Sequence, residues 1–152
     1  EIKGKIKIIH QTGEADYSLV KDAYNKAALN ADVMPFIYDM GTAYANADLV
    51  VSRAGATTVA ELTACGKAAI LIPFPFAAHN HQEMNAKAMS EAGAGEMVLN
   101  KDLNGKILSE RIIYFLNNRQ KIEEMEKKSM ALGKRDAASK MADLCEGLVS
   151  YV

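Results

Sequence analysis

Short apolar segments rich in β-branched residues alternate along this chain with longer segments whose apolar residues recur at helical spacing. The short segments are continuously apolar, which is typical of parallel strands covered on both faces. The two patterns together predict an α/β fold, a Rossmann-like parallel sheet with helices on both faces. The predicted strands are residues 5–9, 33–38, 48–52, 69–72 and 96–99.

Capping residues and helix breakers mark the helices between these strands. Asp39 has the residue type of an N-cap, and Gly66 is a typical helix stop. Pro73 and Pro75 keep the loop after the fourth strand free of helix. The predicted helices are residues 15–29, a short one from the Asp39 cap to Ala47, 57–65, 81–92, and a C-terminal run from 102 broken at 117–118 and 133.

The chain contains no linker, low-complexity stretch or internal repeat of roughly 20–50 residues. We therefore predict one domain, residues 1–152, closed by C-terminal helices. Right-handed crossovers would place every strand-to-helix loop at one edge of the sheet, where open α/β sheets bind ligands. Candidate chemistry is expected in those loops.

Composition removes several classes of function. The chain has 18 basic and 19 acidic residues, a net charge of −1, so we expect no nucleic-acid binding. Cys65 and Cys145 lack partners at metal-ligand spacing and are expected to be buried thiols, and His79 and His81 alone do not make a metal site. We expect neither metal nor cofactor. The longest apolar run is shorter than the roughly 20 residues of a membrane helix, and residues 1–9 do not resemble a signal peptide, which predicts a cytoplasmic protein.

The segment from Ser52 to Glu61 is the strongest local signal, a strand end that passes through a small-residue turn into a helix. Gly55 and Ala56 leave the backbone N–H groups of the helix start open to a phosphate. Glu61 lies three and four residues after Thr58 and Thr57, so the three share a helical face, and its carboxylate suits a vicinal diol such as that of ribose. The alternative is that the small residues only allow close helix packing and that Glu61 is solvated.

A second polar cluster, residues 79–85, follows the next strand and begins its own helix. Gln82 and Asn85 are three residues apart and share a face, and their amides can both donate to and accept from sugar hydroxyls. The alternative is that Asn80 caps the helix and the other polar residues are solvated. A hydrolase is not supported, because Ser52 lacks the flanking glycines of a nucleophile elbow.

Three of these segments resemble the C-terminal half of the MurG glycosyltransferases. They are DLVVSRAGATTVAEL at 48–62, ILIPFP at 70–75 and HQEMNA at 81–86. Residues 10–13, 36–40 and 91–94 fit the same family in order and spacing. The resemblance implies a GT-B transferase, whose C-terminal domain holds UDP-N-acetylglucosamine and whose N-terminal domain meets a lipid-linked muramoyl-pentapeptide acceptor in peptidoglycan synthesis. It also implies a peripheral enzyme on the cytoplasmic face of the membrane.

The resemblance also implies roles for individual residues. The Ile37 backbone and Phe36 would contact the uracil, with Met40 nearby, and Glu61 would hold the ribose. The diphosphate and the N-acetylglucosamine would be contacted by the residues of the two helix starts, namely Gly55, Ala56, Thr57 and Thr58 for the first, and His81, Gln82 and Asn85 for the second. No catalytic residue is assigned, because the expected base belongs to the N-terminal domain.

Differences between this sequence and the usual family sequence lead to two further expectations. Ala68 stands where proline is usual, His79 where an acidic residue is common, and His81 where glutamine is frequent. The family's first donor-domain strand and its Gly-Gly-Ser loop have no counterpart here, so we expect a chain that lacks them and the acceptor domain and is inactive alone. The alternatives are a donor-binding subunit of a split transferase and a UDP-N-acetylglucosamine 2-epimerase-like protein.

An apolar stripe near the C-terminus comprises Met141, Leu144, Cys145 and Leu148. In two-domain transferases of this type the last helix crosses back to the other domain. The stripe is therefore expected to be partly unburied or packed on a second copy of the chain.

Overall fold

The computed structural model of the chain describes residues 4–149 and divides into two compact units, Glu1–Asn46 and Ala47–Val152. Each unit contains its own parallel sheet. The strands are parallel, as predicted, but they form two sheets where the sequence suggested one.

The first unit is a βαβ arrangement. Its elements are β1 (Ile8–Gln11), α1 (Tyr17–Ala27), β2 (Ala31–Met34) and α2 (Met40–Asn46). β1 and β2 pair with Ile8 opposite Ala31 and Gln11 opposite Met34. Pro35 has no N–H to continue the ladder, so β2 ends before it.

Both strands of the first unit differ from their predicted bounds. The polar pair His10 and Gln11, which follows the predicted strand end at residue 9, belongs to β1 because its backbone pairs with β2. The Tyr24 hydroxyl of α1 lies 3.0 Å from His10 Nδ1, which fixes that ring against the helix. Side chains along β1 alternate between half-buried and exposed, so this strand is not covered on both faces as its apolar character suggested.

The second unit carries a three-stranded sheet in the order β3-β4-β5. Val50 pairs with Ala69, and Ala69 pairs with Gly95. The elements are β3 (Val50–Ser52), α3 (Ala56–Cys65), β4 (Ala69–Leu71), a 3₁₀ turn (Ala78–Asn80), α4 (His81–Glu91), β5 (Gly95–Met97), α5 (Gly105–Asn117), α6 (Arg119–Leu132) and α7 (Ala137–Val149).

Helices cover both faces of this sheet, as predicted. Central strand β4 is buried along its whole length. On one face Ile70 packs with residues of α5 and α6, among them Phe115 and Ile122. On the other face Leu71 and Met89 of α4 approach the same glycine, Gly95 of β5. The core of the second unit therefore lies on both sides of β4.

Helix α3 ends as the sequence predicts. Gly66 adopts a left-handed conformation, φ +63°, and the N–H groups of Gly66 and Lys67 bond back to the carbonyls of Thr63 and Leu62. The end of α6 lies close to this point, where a Cβ added at Gly133 would lie 2.5 Å from the Thr63 carbonyl oxygen. Glycine is required there for close approach of the two backbones.

The prediction of buried cysteines was wrong, since both Cys65 and Cys145 are exposed. Cys65 is the last residue of α3 and is directed away from the sheet core. Cys145 is exposed because every described side chain of α7 is exposed. The apolar stripe is accordingly uncovered, with Met141, Leu144 and Leu148 between 63% and 73% exposed. That confirms the expected exposure of the stripe.

Candidate functional site

In the second unit, β3 ends at Ser52 and passes through a tight turn into α3. Ala54 is fully buried against the sheet, and Gly55 occupies the N-cap position in an extended conformation, φ −62° and ψ 152°. No side chain caps the helix. The backbone N–H groups at its start, on the exposed residues Ala56 and Thr57 and the half-buried Thr58, therefore face outward with the positive end of the helix dipole.

Glu61 follows one helical turn after these donors and is half-buried. By helical spacing it lies on the same side of α3 as Thr57 and Thr58. The arrangement places a carboxylate acceptor and a set of N–H donors on one helix start. Diol recognition needs the first of these groups, and diphosphate recognition needs the second.

Helix α4 is attached to this turn through Asn85. Its Nδ2 donates to the Ala54 carbonyl at 3.0 Å, so the middle of α4 is joined to the loop that opens α3. The Asn85 Oδ1 remains as the acceptor of that amide. The structure therefore brings Asn85 together with the Gly55 turn, a contact that the sequence did not reveal.

Gln82 is held in a similar way by the loop after β4 that contains Pro73 and Pro75, called the proline loop below. Its Oε1 accepts from the Phe74 N–H at 3.0 Å, which leaves the Nε2 group, a donor, as the other end of the amide. The two amides of α4 are thus held in opposite senses. Gln82 presents a donor and Asn85 presents an acceptor.

The start of α4 has unusual backbone geometry. His79 and Asn80 both have positive φ, 50° and 54°, a conformation that non-glycine residues adopt at some cost. Asn80 occupies the N-cap position, as the alternative interpretation expected, but its side chain makes no capping hydrogen bond. His81 is exposed, and its Nδ1 contacts the Ala78 carbonyl. The histidine is therefore fixed to the 3₁₀ turn.

Arg53 is a site residue that the sequence analysis did not single out. Its Nη1 lies 3.2 Å from both the Ile72 and Pro73 carbonyl oxygens and 2.9 Å from Asn100 Oδ1. The guanidinium also lies 5.5 Å from the centre of the Phe74 ring. One side chain thereby joins the loops that follow β3, β4 and β5. Its position directly before Ala54-Gly55 was the one available signal.

Ser52 takes no part in nucleophilic chemistry. Its Oγ is buried and has no hydrogen-bond partner within residues 4–149. A buried hydroxyl without a base cannot attack a substrate. Over the same residues, no group of three or more His, Cys, Asp or Glu side chains is placed to hold a metal ion.

The remaining predicted residues belong to the first unit: Phe36 and Ile37 lie on the loop from β2 into α2, and Met40 is the first residue of α2. Phe36 is about half-exposed, 55%, and its ring makes an edge contact with Tyr38 at 5.0 Å. Ile37 and Met40 are half-buried. The loop presents an aromatic surface beside backbone polar groups.

Asp39 anchors the far end of this loop. Its Oδ1 accepts from the Thr42 N–H at 2.9 Å, so Asp39 caps α2 as predicted. Hydrogen bonds from Thr42 lower the pKa of the Asp39 carboxyl below its usual range. The carboxylate is therefore the stable form of the cap.

None of the helices in the described part of the chain is long and apolar enough to cross a membrane.

The fold and these helix starts define the class: a Rossmann-like α/β protein with polar groups gathered at the carboxyl ends of its strands. The sequence profile of the glycosyltransferase family 28 C-terminal domain matches residues 1–141. The chain belongs to this family.

Curated relatives agree with that assignment. A protein of Thermodesulfovibrio yellowstonii is 53% identical over 148 residues, which are 97% of this chain and 40% of the relative. One of Syntrophus aciditrophicus is 47% identical over 97% of this chain and 41% of the relative. Both are named UDP-N-acetylglucosamine--N-acetylmuramyl-(pentapeptide) pyrophosphoryl-undecaprenol N-acetylglucosamine transferase. The chain spans about two fifths of the length of these relatives.

Solved structures give the same fold. The crystal structure of Acinetobacter baumannii MurG superposes with a TM-score of 0.84 at 34% identity, over 93% of this chain and 43% of that one. The glycosyltransferase VinC, in complex with dTDP, superposes with a TM-score of 0.62 at 14% identity, which shows a shared fold alone. The expected GT-B C-terminal fold is confirmed.

Proposed function

We propose that this chain is the donor-binding part of a transferase that moves N-acetylglucosamine from UDP-N-acetylglucosamine to an undecaprenyl-diphosphate-linked muramoyl-pentapeptide. The relatives' printed names supply the reaction. The observation that carries the proposal for this chain is the start of α3, where uncapped N–H groups and Glu61 lie one turn apart. That combination matches a diphosphate joined to a ribose.

The diphosphate would be bound by the turn at Gly55. The N–H groups of Ala56, Thr57 and Thr58 would donate to its oxygens, and the dipole of α3 favours the negative charge. Binding of the diphosphate by N–H groups and the helix dipole requires no metal ion.

The N-acetylglucosamine would be bound by α4. Gln82 offers a donor and Asn85 an acceptor, because the opposite end of each amide is held by backbone. A sugar hydroxyl can satisfy either group, since it both donates and accepts. His81 is the first residue of the same helix and is exposed. In this proposal it would contact the same sugar. In the sugar subsite Gln82 would therefore act as the donor and Asn85 as the acceptor.

Nucleobase binding is assigned, as the family resemblance implies, to the segment from β2 into α2. Phe36 presents an exposed ring that can lie along a uracil, and Ile37 presents backbone groups. Met40, at the start of α2, would pack nearby.

Acceptor binding and the catalytic base would come from the part of the relatives that this chain does not span. The lipid-linked acceptor would place the whole enzyme at the cytoplasmic face of the membrane. We also propose that the exposed stripe of α7 packs on an apolar partner surface, and on a second copy when this chain is alone.

Glu61→Ala tests the proposal. If Glu61 accepts from both ribose hydroxyls, its loss removes two charge-assisted hydrogen bonds of up to about 1.5–3 kcal/mol each, so UDP should bind at least roughly tenfold more weakly. Calorimetric titration with UDP and 2′-deoxy-UDP measures this directly. Wild type should prefer UDP, whereas the variant should bind the two nucleotides about equally.

Glu123→Ala is the matched control, an exposed glutamate inside helix α6. It should leave both affinities unchanged. The variant Glu61→Ala should stay within about 1 kcal/mol of the wild-type stability. An unchanged ribose preference in a folded Glu61→Ala protein would contradict the ribose role, and wild type that binds no UDP would contradict the proposed function.

A further inference from the structure

The segment between β4 and α4 contains two consecutive residues with a left-handed backbone. His79 has φ 50° and ψ 26°, and Asn80 has φ 54° and ψ 23°. Over residues 4–149 the only other non-glycine residue with positive φ is Ala28, which ends α1 in the way that left-handed residues commonly end helices. Asn80 instead precedes a helix, where an N-cap residue normally has an extended backbone. A helix start by itself therefore does not require this geometry.

The side chains of His79 and Asn80 do not account for the conformation. Both residues are exposed, and in the part of the chain that the structure describes neither side chain makes a hydrogen bond or an ion pair. His and Asn are nevertheless among the non-glycine residues that adopt positive φ most readily, whereas a β-branched residue is strongly disfavoured there. The backbone conformation thus explains the residue types at these two positions.

Hydrogen bonds on both sides of the pair show what it connects. The Ala77 N–H donates to the Phe74 carbonyl at 3.2 Å, and the Asn80 N–H donates to the Ala77 carbonyl at 3.1 Å. After the pair, Gln82 Oε1 accepts from the Phe74 N–H at 3.0 Å. Phe74 is therefore bonded through its carbonyl to the chain before the pair and through its N–H to the chain after it.

The position of Gln82 depends directly on the backbone of the pair, because it lies only two residues after Asn80. The helix that carries Gln82 cannot move freely to compensate, since Ala86 and Met89 of α4 are buried. A return of Asn80 to an ordinary helical φ would rotate the adjoining chain by roughly 120° about one bond. Gln82 could not then keep both its place on α4 and its hydrogen bond to the Phe74 N–H.

We infer that His79 and Asn80 are positioning residues for the sugar subsite, whose left-handed backbone holds Gln82 Oε1 on the Phe74 N–H and leaves the Gln82 Nε2 for a sugar hydroxyl. Neither residue contacts the ligand in this role. The inference rests on the proposed function, because it takes Gln82 as a donor to the N-acetylglucosamine. It deepens that function by naming the residues that set the direction of the donor.

Glycine and valine at each position separate a backbone role from a side-chain role. Glycine adopts positive φ freely and has no side chain, whereas valine strongly disfavours positive φ. UDP-N-acetylglucosamine and UDP share the ribose and the diphosphate, so the ratio of their affinities, measured by calorimetric titration of the whole chain, reports on the sugar subsite. His79→Gly and Asn80→Gly should keep the wild-type ratio. His79→Val and Asn80→Val should weaken binding of the nucleotide sugar relative to UDP by about three- to tenfold, the effect of one lost hydrogen bond.

Ala78→Val is the matched control, because it adds the same side chain to the same exposed turn at a residue that does not have positive φ. It should leave the ratio unchanged. His79→Ala and Asn80→Ala disfavour positive φ more mildly and should change the ratio less than valine does. Thermal melting establishes that each variant is folded.

Two results would overturn the inference. One is a wild-type ratio in the folded valine variants, or in the alanine variants where valine prevents folding. The other is a ratio that glycine and valine lower equally, which would assign the effect to a lost side chain. A wild-type chain that binds neither UDP nor UDP-N-acetylglucosamine overturns the proposed function instead.

Discussion

Replacement of Arg53 by methionine tests how firmly the loops at the carboxyl ends of the second sheet are held. Methionine keeps most of the apolar stem of arginine and removes the guanidinium. The change deletes the contacts of Nη1 with the Ile72 and Pro73 carbonyls and with Asn100, together with the contact on Phe74. The sheet strands themselves are untouched.

The expected magnitude follows from those contacts. Nη1 has two hydrogens for three acceptors, so at most two full hydrogen bonds are lost. Because Arg53 is exposed, each of these bonds contributes about 1 kcal/mol, the value of an ordinary hydrogen bond, and an exposed cation–π contact adds about 0.5 kcal/mol. We expect Arg53→Met to lower the free energy of unfolding of the second unit by about 2–3 kcal/mol. Arg53→Lys should recover a part of this, because an ammonium can reach one or two of the same acceptors.

Two measurements check this expectation. Urea unfolding gives the change in stability, and amide hydrogen exchange of residues 72–78 reports whether the proline loop opens. Because Gln82 is held by the Phe74 N–H, the variant should also lose more affinity for UDP-N-acetylglucosamine than for UDP. The control is Arg111→Met, which removes only a surface salt bridge to Glu96 and should cost less than about 1 kcal/mol.

An Arg53→Met protein with a wild-type urea midpoint and unchanged hydrogen exchange in the proline loop would refute the anchoring role of Arg53. In that case the loops are fixed by backbone contacts alone.

Two further predictions concern packing. Gly133→Ala should destabilise the second unit by about 1–3 kcal/mol in urea, because its Cβ would lie 2.5 Å from the Thr63 oxygen. Gly147→Ala, where a Cβ meets nothing within 4 Å, should be neutral or slightly stabilising, and equal effects of the two changes would contradict the close approach. The exposed stripe of α7 should cause concentration-dependent self-association in sedimentation, which Leu144→Glu reduces; a wild type that stays monomeric at high concentration would contradict it.

Features set by a few neighbouring residues could be predicted from the sequence. Asp39 caps α2 and Gly66 ends α3 in a left-handed conformation, both as expected. The breaks near Asn118 and Gly133 also fall where the helices α5, α6 and α7 meet their loops. Each of these signals acts within one helical turn, so it is readable without knowledge of tertiary contacts.

Strand limits could not be predicted as well. β1 extends to Gln11 and β2 starts at Ala31 because the register between the two strands decides which residues pair. Register depends on a partner that is distant in the sequence. The exposure of Cys65 and Cys145 was missed for a related reason, since burial depends on what packs against a helix and not on the residue type alone.

In the candidate site, too, local features could be predicted from the sequence and tertiary contacts could not. Residue types and helical spacing located Glu61, Gln82 and Asn85, whose ligand roles stay predictions. The anchoring of both amides by backbone groups, and the three loops joined by Arg53, became visible only in the structure. Those contacts join residues that lie far apart in the sequence.

The strand order within each unit has a consequence for how the chain folds. β1 pairs with β2, β3 with β4, and β4 with β5, so every strand in the two sheets bonds to its neighbour in the sequence. Each pairing closes a loop no longer than a single strand–helix–strand segment. Parallel sheets usually fold slowly because distant strands must find one another before their contacts contribute stability. Here each sheet can be assembled step by step from local closures, with a small loss of chain entropy at each step.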